Sequence, residues 1–341
     1  MTIERPGATV TLAHGGGGRA MHELIEAVFV RRFGGNGEDQ ARIALAEIVQ
    51  RGDRLAFSTD AYVVDPLFFP GGDIGTLAVN GTINDLAVGG AMPLALSCAV
   101  IVEEGLPIET LHRVAESMQR AAAAAGVAIV TGDTKVVQRG AADKLFVTTA
   151  GIGVIAQGVE IAASRATPGD AILVSGFIGD HGATILNARG DLGVEAPLRS
   201  DTQPLHGLVR SLLAACPDVH CLRDATRGGV ATVLNEFAQA SRATLQIDEA
   251  RLPLREAVRG VCAILGLDPL YFANEGMLVA VVPGDAAEAA LAAMQAHPAG
   301  SDAALIGRVA DKTPALVTLR TRFGGERIVD MLTGEQLPRI C

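Results

Sequence analysis

Three stretches that read as strands in this chain end at or near an aspartate. Leu55-Ala56-Phe57-Ser58-Thr59 meets Asp60, Val127-Ala128-Ile129-Val130 runs into Thr131-Gly132-Asp133, and Leu222-Arg223 meets Asp224. Helical periodicity lies between them, with helices predicted over 74–88, 108–125, 205–215 and 228–240. Strands that alternate with helices bury their apolar faces only by layering, so the pattern points to a mixed α/β fold. A stretch rich in Ser, Thr, Pro and Gly from Ala163 to Asp170 interrupts it, with Pro168-Gly169-Asp170 as a turn before the next strand. We therefore expect an N-terminal domain over 1–160, a second α/β domain over 161–312, and a segment over 313–341 made of one strand pair and a tail.

Composition narrows the function classes. With 49 % hydrophobic and 19 % charged residues the chain has the apolar content to fold, while 40 glycines, two tyrosines and no tryptophan suggest close backbone approaches rather than an aromatic core. A net charge of −10 and the absence of a Lys/Arg run argue against nucleic acid or an anionic membrane as partner. A small anion remains open, since a few amides, a cation or a metal suffice to hold one. No basic leader precedes an apolar stretch, and no segment approaches the roughly 18 apolar residues that span a bilayer, so a cytoplasmic protein is expected. The five cysteines form no CxxC pair, which fits neither a disulfide framework nor a standard zinc site. Cys98 and Cys262 sit in apolar surroundings and read as buried filler. Cys341 is different: it ends the chain behind Pro338-Arg339-Ile340, where a thiol with an ordinary pKa of roughly 8.5 is free to travel and Arg339 favours its thiolate.

The candidate site residues follow from charge placed where apolar patterning leaves little room for it. Asp85, after Asn84, interrupts the apolar run of the helix over 74–88 and must face water or a cation. Acids converging from separate strands and a helix, here Asp60, Asp85 and Asp133, are how proteins hold Mg²⁺ against nucleotide phosphates, with Lys135 as a point charge. Asp224 precedes Gly228-Gly229 at a helix N-terminus, where an anion is well received. Glu275 lies at the mouth of the apolar strand from Met277 and is a candidate acid or base. The run Ala13-His14-Gly15-Gly16-Gly17-Gly18 can cradle phosphate through bare amides, but no Lys-Ser/Thr follows, so it is not a Walker A loop. His181, in a glycine-rich turn, has a bland reading as a cap.

Taken together, the motifs resemble the HypE family of hydrogenase maturation proteins, within the aminoimidazole ribonucleotide synthetase-like and selenophosphate synthetase-like ATP enzymes. The resemblance spans essentially the whole chain and rests on Ala13–Gly18, Phe57-Ser58-Thr59-Asp60, Asn84 to Gly90, Gly132-Asp133-Thr134-Lys135, Arg223 to Gly229, Asn274-Glu275-Gly276 and Pro338-Arg339-Ile340-Cys341. The cysteine tail singles out HypE within the superfamily. The resemblance implies ATP-dependent dehydration of a carbamoyl group on Cys341 to a thiocyanate. The carbamoyl group would come from the carbamoyltransferase HypF, and the cyanide would pass to iron on a HypC–HypD complex for a [NiFe]-hydrogenase. It further implies that Asp60, Asp85 and Asp224 hold Mg²⁺, that Asp73 and Gly132, Asp133, Thr134 and Lys135 contact ATP, and that Lys135 or Glu275 removes the amide proton. The implied fold is two α/β domains, a homodimer in which N-terminal strands close a β-barrel, and a flexible tail. Two rivals are an ATP-dependent small-molecule kinase or synthetase of the same superfamily and a non-catalytic cysteine-tail carrier.

Overall fold

The structure is a computed structural model and describes residue 5 and residues 7–34, 40–190, 197–310 and 314–331. It is organised around one buried helix, α1 (Ile74–Val88), preceded in the chain by strand β1 (Arg54–Tyr62). Every residue of α1 except Thr76 and Asp85 is buried, as expected for a helix apolar all round. Its start is set by Asp73, whose Oδ1 accepts from the amides of Gly75 at 2.8 Å and Thr76 at 2.9 Å, a cap of about 0.5–2 kcal/mol. One side of α1 packs on α2 (Ile108–Ala125), the other on a sheet formed by β1, β2 (Ala91–Glu103), β3 (Ala128–Val137) and β4 (Leu145–Ile155) in the order β1-β4-β2-β3.

This sheet is covered on one face only. Tyr62, Val100, Val102 and Val147 point into the core, while Leu55, Phe57, Ile101 and Val130 are exposed. The sheet is open, with β1 and β3 at its edges, and no closed barrel exists among the described residues; the barrel that the resemblance implies is one closed by two copies, and this single chain carries the open four-stranded sheet. The strand through Gly132 departs from expectation as well. It continues to Val137 because residues 131–137 pair in parallel with Ser97–Glu103, so Asp133 and Lys135 lie within a strand and not beyond its end. Gly132 is required there, since a Cβ would stand 2.1 Å from the Cys98 carbonyl oxygen. A one-residue bulge at Val130 sets the facing: Ile129 stands opposite Leu96 but Thr131 opposite Ser97. Past the bulge, Thr134 points into the core and Asp133 and Lys135 onto the uncovered face, opposite Ala99 and Ile101.

The second domain is a seven-stranded sheet. Its elements in chain order are β5 (Ala171–Val174), α3 (Asp180–Ala188), α4 (His206–Ala215), β6 (Cys221–Asp224), α5 (Gly229–Ser241), β7 (Thr244–Asp248), α6 (Glu256–Leu265), β8 (Leu278–Val282), α7 (Ala287–Gln295), β9 (Ala304–Ala310), β10 (Val317–Arg320) and β11 (Glu326–Ile328). The order is β11-β10-β7-β9-β5-β8-β6, antiparallel except for β10 against β7. The strand pair expected after Thr313 is β10 and β11, and both belong to this sheet. Our sequence reading did not anticipate β7 and α6, although Leu245 and Ile247 alternate and Val258, Val261, Cys262 and Leu265 recur at helical spacing. Asn84 joins the domains: its Nδ2 donates to the Gln203 carbonyl at 3.1 Å and its Oδ1 accepts from Leu205 N–H at 2.7 Å. Cys98, Cys216, Cys221 and Cys262 are buried, and burial pushes the thiols of Cys98, Cys221 and Cys262 up to about 12, as expected of inert filler. Among the described residues no helix is long and apolar enough to cross a membrane.

Candidate active site

The acids come together where the two domains meet. β1 delivers Asp60, the C-terminal part of α1 delivers Asp85, the end of β6 delivers Asp224, and the turn before β8 delivers Glu275. Asp85 is fixed by Ser58, whose hydroxyl donates to Oδ2 at 2.7 Å; both residues point to the covered side of the sheet. A cleft of about 540 Å³ opens here, lined by Ser58, Asp85, Arg223, Asp224 and Phe237 among others. Arg223 is the nearby cation, and it is paired with Glu236.

The electrostatics are those of crowded anions. Burial raises the Asp85 carboxyl, and the Asp60 charge adds to this against the Ser58 bond and Arg223. Burial and then Asp85 push Asp224 up to about 7. Glu275 is only 3 % exposed and is raised well above the usual range by burial, then by Asp201, Asp224, Asp60 and Asp85. Its Oε1 is buried with no hydrogen-bond partner among the described residues.

Carboxylate oxygens of this kind suit a hard divalent cation, and the orphaned Oε1 with the mutual repulsion marks a place short of positive charge. Among the described residues, no three candidate ligands stand close enough to form a ready coordination shell. Mg²⁺ needs no full cage of protein ligands, because it keeps water and takes one or two carboxylates together with substrate phosphates.

The other expected residues lie elsewhere. Asp73 is at the opposite end of α1 from Asp85, about 18 Å away at the rise of an α-helix, and its Oδ1 also accepts from Ser117 Oγ at 2.6 Å. Asp60, Thr149, Cys98 and Gly132 form one row across the four-stranded sheet, so Gly132 is three strand spacings, roughly 14 Å, from Asp60. Asp133 and Lys135 are on the far edge and the opposite face, paired with each other at 2.7 Å and more than half exposed. Lys135 pulls the Asp133 carboxyl below its usual value. The glycine run keeps company with this edge: the turn Leu12–Gly15 lies against β3, with Gly15 packed on Val136. His181 is buried in the first turn of α3 with Nδ1 2.8 Å from Ser200 Oγ. Cys341 lies outside the described residues. Sequence reasoning missed Ser58 and Asp201, the latter partly buried and raised by desolvation against four hydrogen bonds. Ser58 stood inside a quoted motif; Asp201 stood in none.

Fold and site together define a two-domain protein with an acid-lined cleft between its halves, and two family models match it in that order. The AIR synthase related protein N-terminal domain matches residues 37–155, and the AIR synthase related protein C-terminal domain matches residues 167–318. The chain is 58 % identical over 333 residues to the carbamoyl dehydratase HypE of Rhodobacter capsulatus, covering 97 % of this chain and 98 % of that one. Among solved structures, a hydrogenase maturation protein HypE in complex with ATP superimposes with a TM-score of 0.92 at 50 % identity, covering 98 % of this chain and all of the other. A HypE–HypF complex matches with a TM-score of 0.79 at 44 % identity, covering 92 % of this chain and 100 % of that chain. The chain belongs to the HypE family of carbamoyl dehydratases.

Proposed function

We propose that this protein matures [NiFe]-hydrogenase by dehydrating an S-carbamoyl group on its own Cys341 to a thiocyanate at the expense of ATP. The observation that carries the reading is the cluster of Asp60, Asp85, Asp224 and the buried Glu275 where the domains meet, with Asp85 and Asp224 lining the cleft, in a chain of the HypE family. The carbamoyl oxygen attacks the γ-phosphorus of ATP and ADP departs. The carbamoyl oxygen, now phosphorylated, is a leaving group: two protons leave the nitrogen, the C–O bond breaks, and S–C≡N and phosphate result. Phosphoryl transfer needs positioning and neutralised charge more than a covalent nucleophile, which a cleft of acids prepared for a cation provides.

Asp60, Asp85 and Asp224 would hold Mg²⁺, which when bound neutralises charge on the phosphates. Ser58 holds Asp85 in direction, and Glu275, buried with Oε1 unpartnered among the described residues, would take a proton from the nitrogen. Asp73 and the stretch Gly132 to Lys135 are assigned to the nucleotide. The uncovered face of the four-stranded sheet and its two free edges support a homodimer in which a second copy closes the barrel; an apolar face with paired edges is then hidden from water. Asp133 and Lys135 lie in that interface, so Lys135 enters the chemistry through the paired copy. The tail receives its carbamoyl group from HypF and delivers cyanide to iron on HypC–HypD, all in the cytoplasm.

Intact-mass measurement with the carbamoyltransferase, carbamoyl phosphate and ATP tests the reading. Cys341 should gain one carbamoyl group and then lose one water; a tail that stays unmodified while ATP is consumed on a free small molecule would replace it with the kinase reading.

A further inference from the structure

Glu275 presents a problem of direction. Its Oε1 has no donor to hold it among the described residues, yet a proton acceptor works only when its position is fixed. The backbone supplies what the side chain lacks. Asp201 Oδ1 accepts from Glu275 N–H at 3.0 Å, and its Oδ2 accepts from Gly276 N–H at 3.1 Å and from Asn274 Nδ2 at 2.8 Å. The approach is close enough that a Cβ on Gly276 would stand 1.8 Å from the Asp201 carbonyl oxygen. From the other side, Asn84 Nδ2 donates to the Glu275 carbonyl at 3.3 Å, so both backbone polar groups of Glu275 are held. Asn84 is the chain neighbour of Asp85, and it also grips the Asp201 loop through Gln203 and Leu205.

We infer that Asp201 is a positioning residue for the dehydration step: with Asn84 it clamps the 274–276 turn so that the Glu275 carboxylate is held at a set distance from Asp85. A partly buried carboxylate is a costly way to satisfy two amides, because desolvating a charge exceeds desolvating a neutral acceptor. A charged acceptor returns hydrogen bonds roughly twice as strong, and stiffness is what it supplies here. The clamp sets how fast the bound tail reacts and leaves nucleotide affinity alone: Asp201 hydrogen-bonds to Glu275 at the backbone, its charge also raises the Glu275 carboxyl, and it touches none of the residues assigned to the nucleotide.

This inference rests on the activity proposed above, and the experiment separates the two. Asp201→Asn keeps the shape but turns a donor towards a donor. Its single-turnover conversion of carbamoyl-cysteine to thiocyanate should fall about 30-fold, as misplacement of a reacting group does, with half-saturating ATP within about twofold and carbamoyl loading unchanged. In a Glu275→Gln background the same substitution should add nothing. Additive slowing in the double variant, or a rise in half-saturating ATP in step with the rate loss, would overturn the positioning role. Gln203→Ala removes the 2.9 Å bond from Gln203 Nε2 to the Gly276 carbonyl and gives a milder version of the same cycle should Asp201→Asn fail to fold. Hydrogen exchange at the Glu275 and Gly276 amides must also accelerate in Asp201→Asn; unchanged protection would overturn the clamp independently of turnover. Wild-type protein that forms no thiocyanate defeats the proposed function, whereas wild-type turnover with an additive cycle defeats only the clamp.

Discussion

The interdomain cleft and the uncovered edge of the four-stranded sheet both carry acids from the same sort of motif, and they are opposite in physical character. Around the cleft, burial and crowded acids raise the carboxyls of Asp85, Asp224 and Glu275, and the nearby cation, Arg223, is engaged by Glu236. At the edge, Asp133 and Lys135 neutralise each other in water. Uncompensated charge in a buried place is a standing cost that a ligand can relieve, whereas a solvated pair is nearly neutral to the fold. The difference teaches where the chain is prepared for a cation and where it is prepared for another surface.

The largest effect should come from breaking the edge. Lys135→Ala is expected to slow dehydration by about 100-fold, the usual scale of a lost proton-transfer or charge partner, while Cys341 still accepts carbamoyl. Normal thiocyanate formation by intact mass would remove Lys135 from the chemistry. Mixing this variant with Asp85→Asn chains sharpens the comparison: hybrid dimers should recover activity if Lys135 serves the cleft of its partner, and should not if it serves its own.

Asp85→Asn comes next. Loss of one metal-facing charge should weaken Mg·ATP binding about tenfold, or roughly 1.4 kcal/mol, by calorimetry. Unchanged affinity would mean that Asp85 is not a metal ligand and that the repulsion in the cleft has another purpose.

A smaller effect is expected on stability. A carboxyl moved from 3.8 to about 7 in the folded state carries on the order of 4 kcal/mol against its charged form. The folded pKa of Asp224 is raised, so its stabilising contribution is complete below pH 4 and is lost as pH rises through 7. Metal-free protein should therefore melt lower at pH 8 than at pH 5. Asp224→Asn should flatten that dependence, and Mg²⁺ should raise the melting temperature more at pH 8. A melting temperature independent of Mg²⁺ at both values would count against the cleft as the cation site. The smallest effect belongs to Asp133→Asn in the undimerised chain: the pair is exposed there and contributes at most about 1 kcal/mol, so the melting temperature of the single chain should move by less than about 4 °C.

Much of this was legible in the chain. The boundaries of α1, α2 and β5 follow from breakers and periodicity, and Asp85 stood out because an acid in an apolar helix demands an explanation. Asp201 left no such mark. It lies in an irregular stretch, and its partners at 274–276 are over seventy residues away in sequence, so nothing local reports its contacts. The face taken by Lys135 was hidden for another reason. A strand alternates sides with period two, and the bulge at Val130 shifts every later side chain to the other face.

The sequence by itself determined the two α/β halves, the acids at the ends of apolar runs, the buried character of α1 and the family, because these depend on local patterning and residue type. Only the tertiary structure decided that Asp60, Asp85, Asp224 and Glu275 cluster where the domains meet, that Asp73 and Lys135 stand apart from them, and that Asp201 grips the turn carrying Glu275. Those outcomes depend on strand register, on one bulge and on hydrogen bonds between distant segments, all of which are set by how the whole core packs.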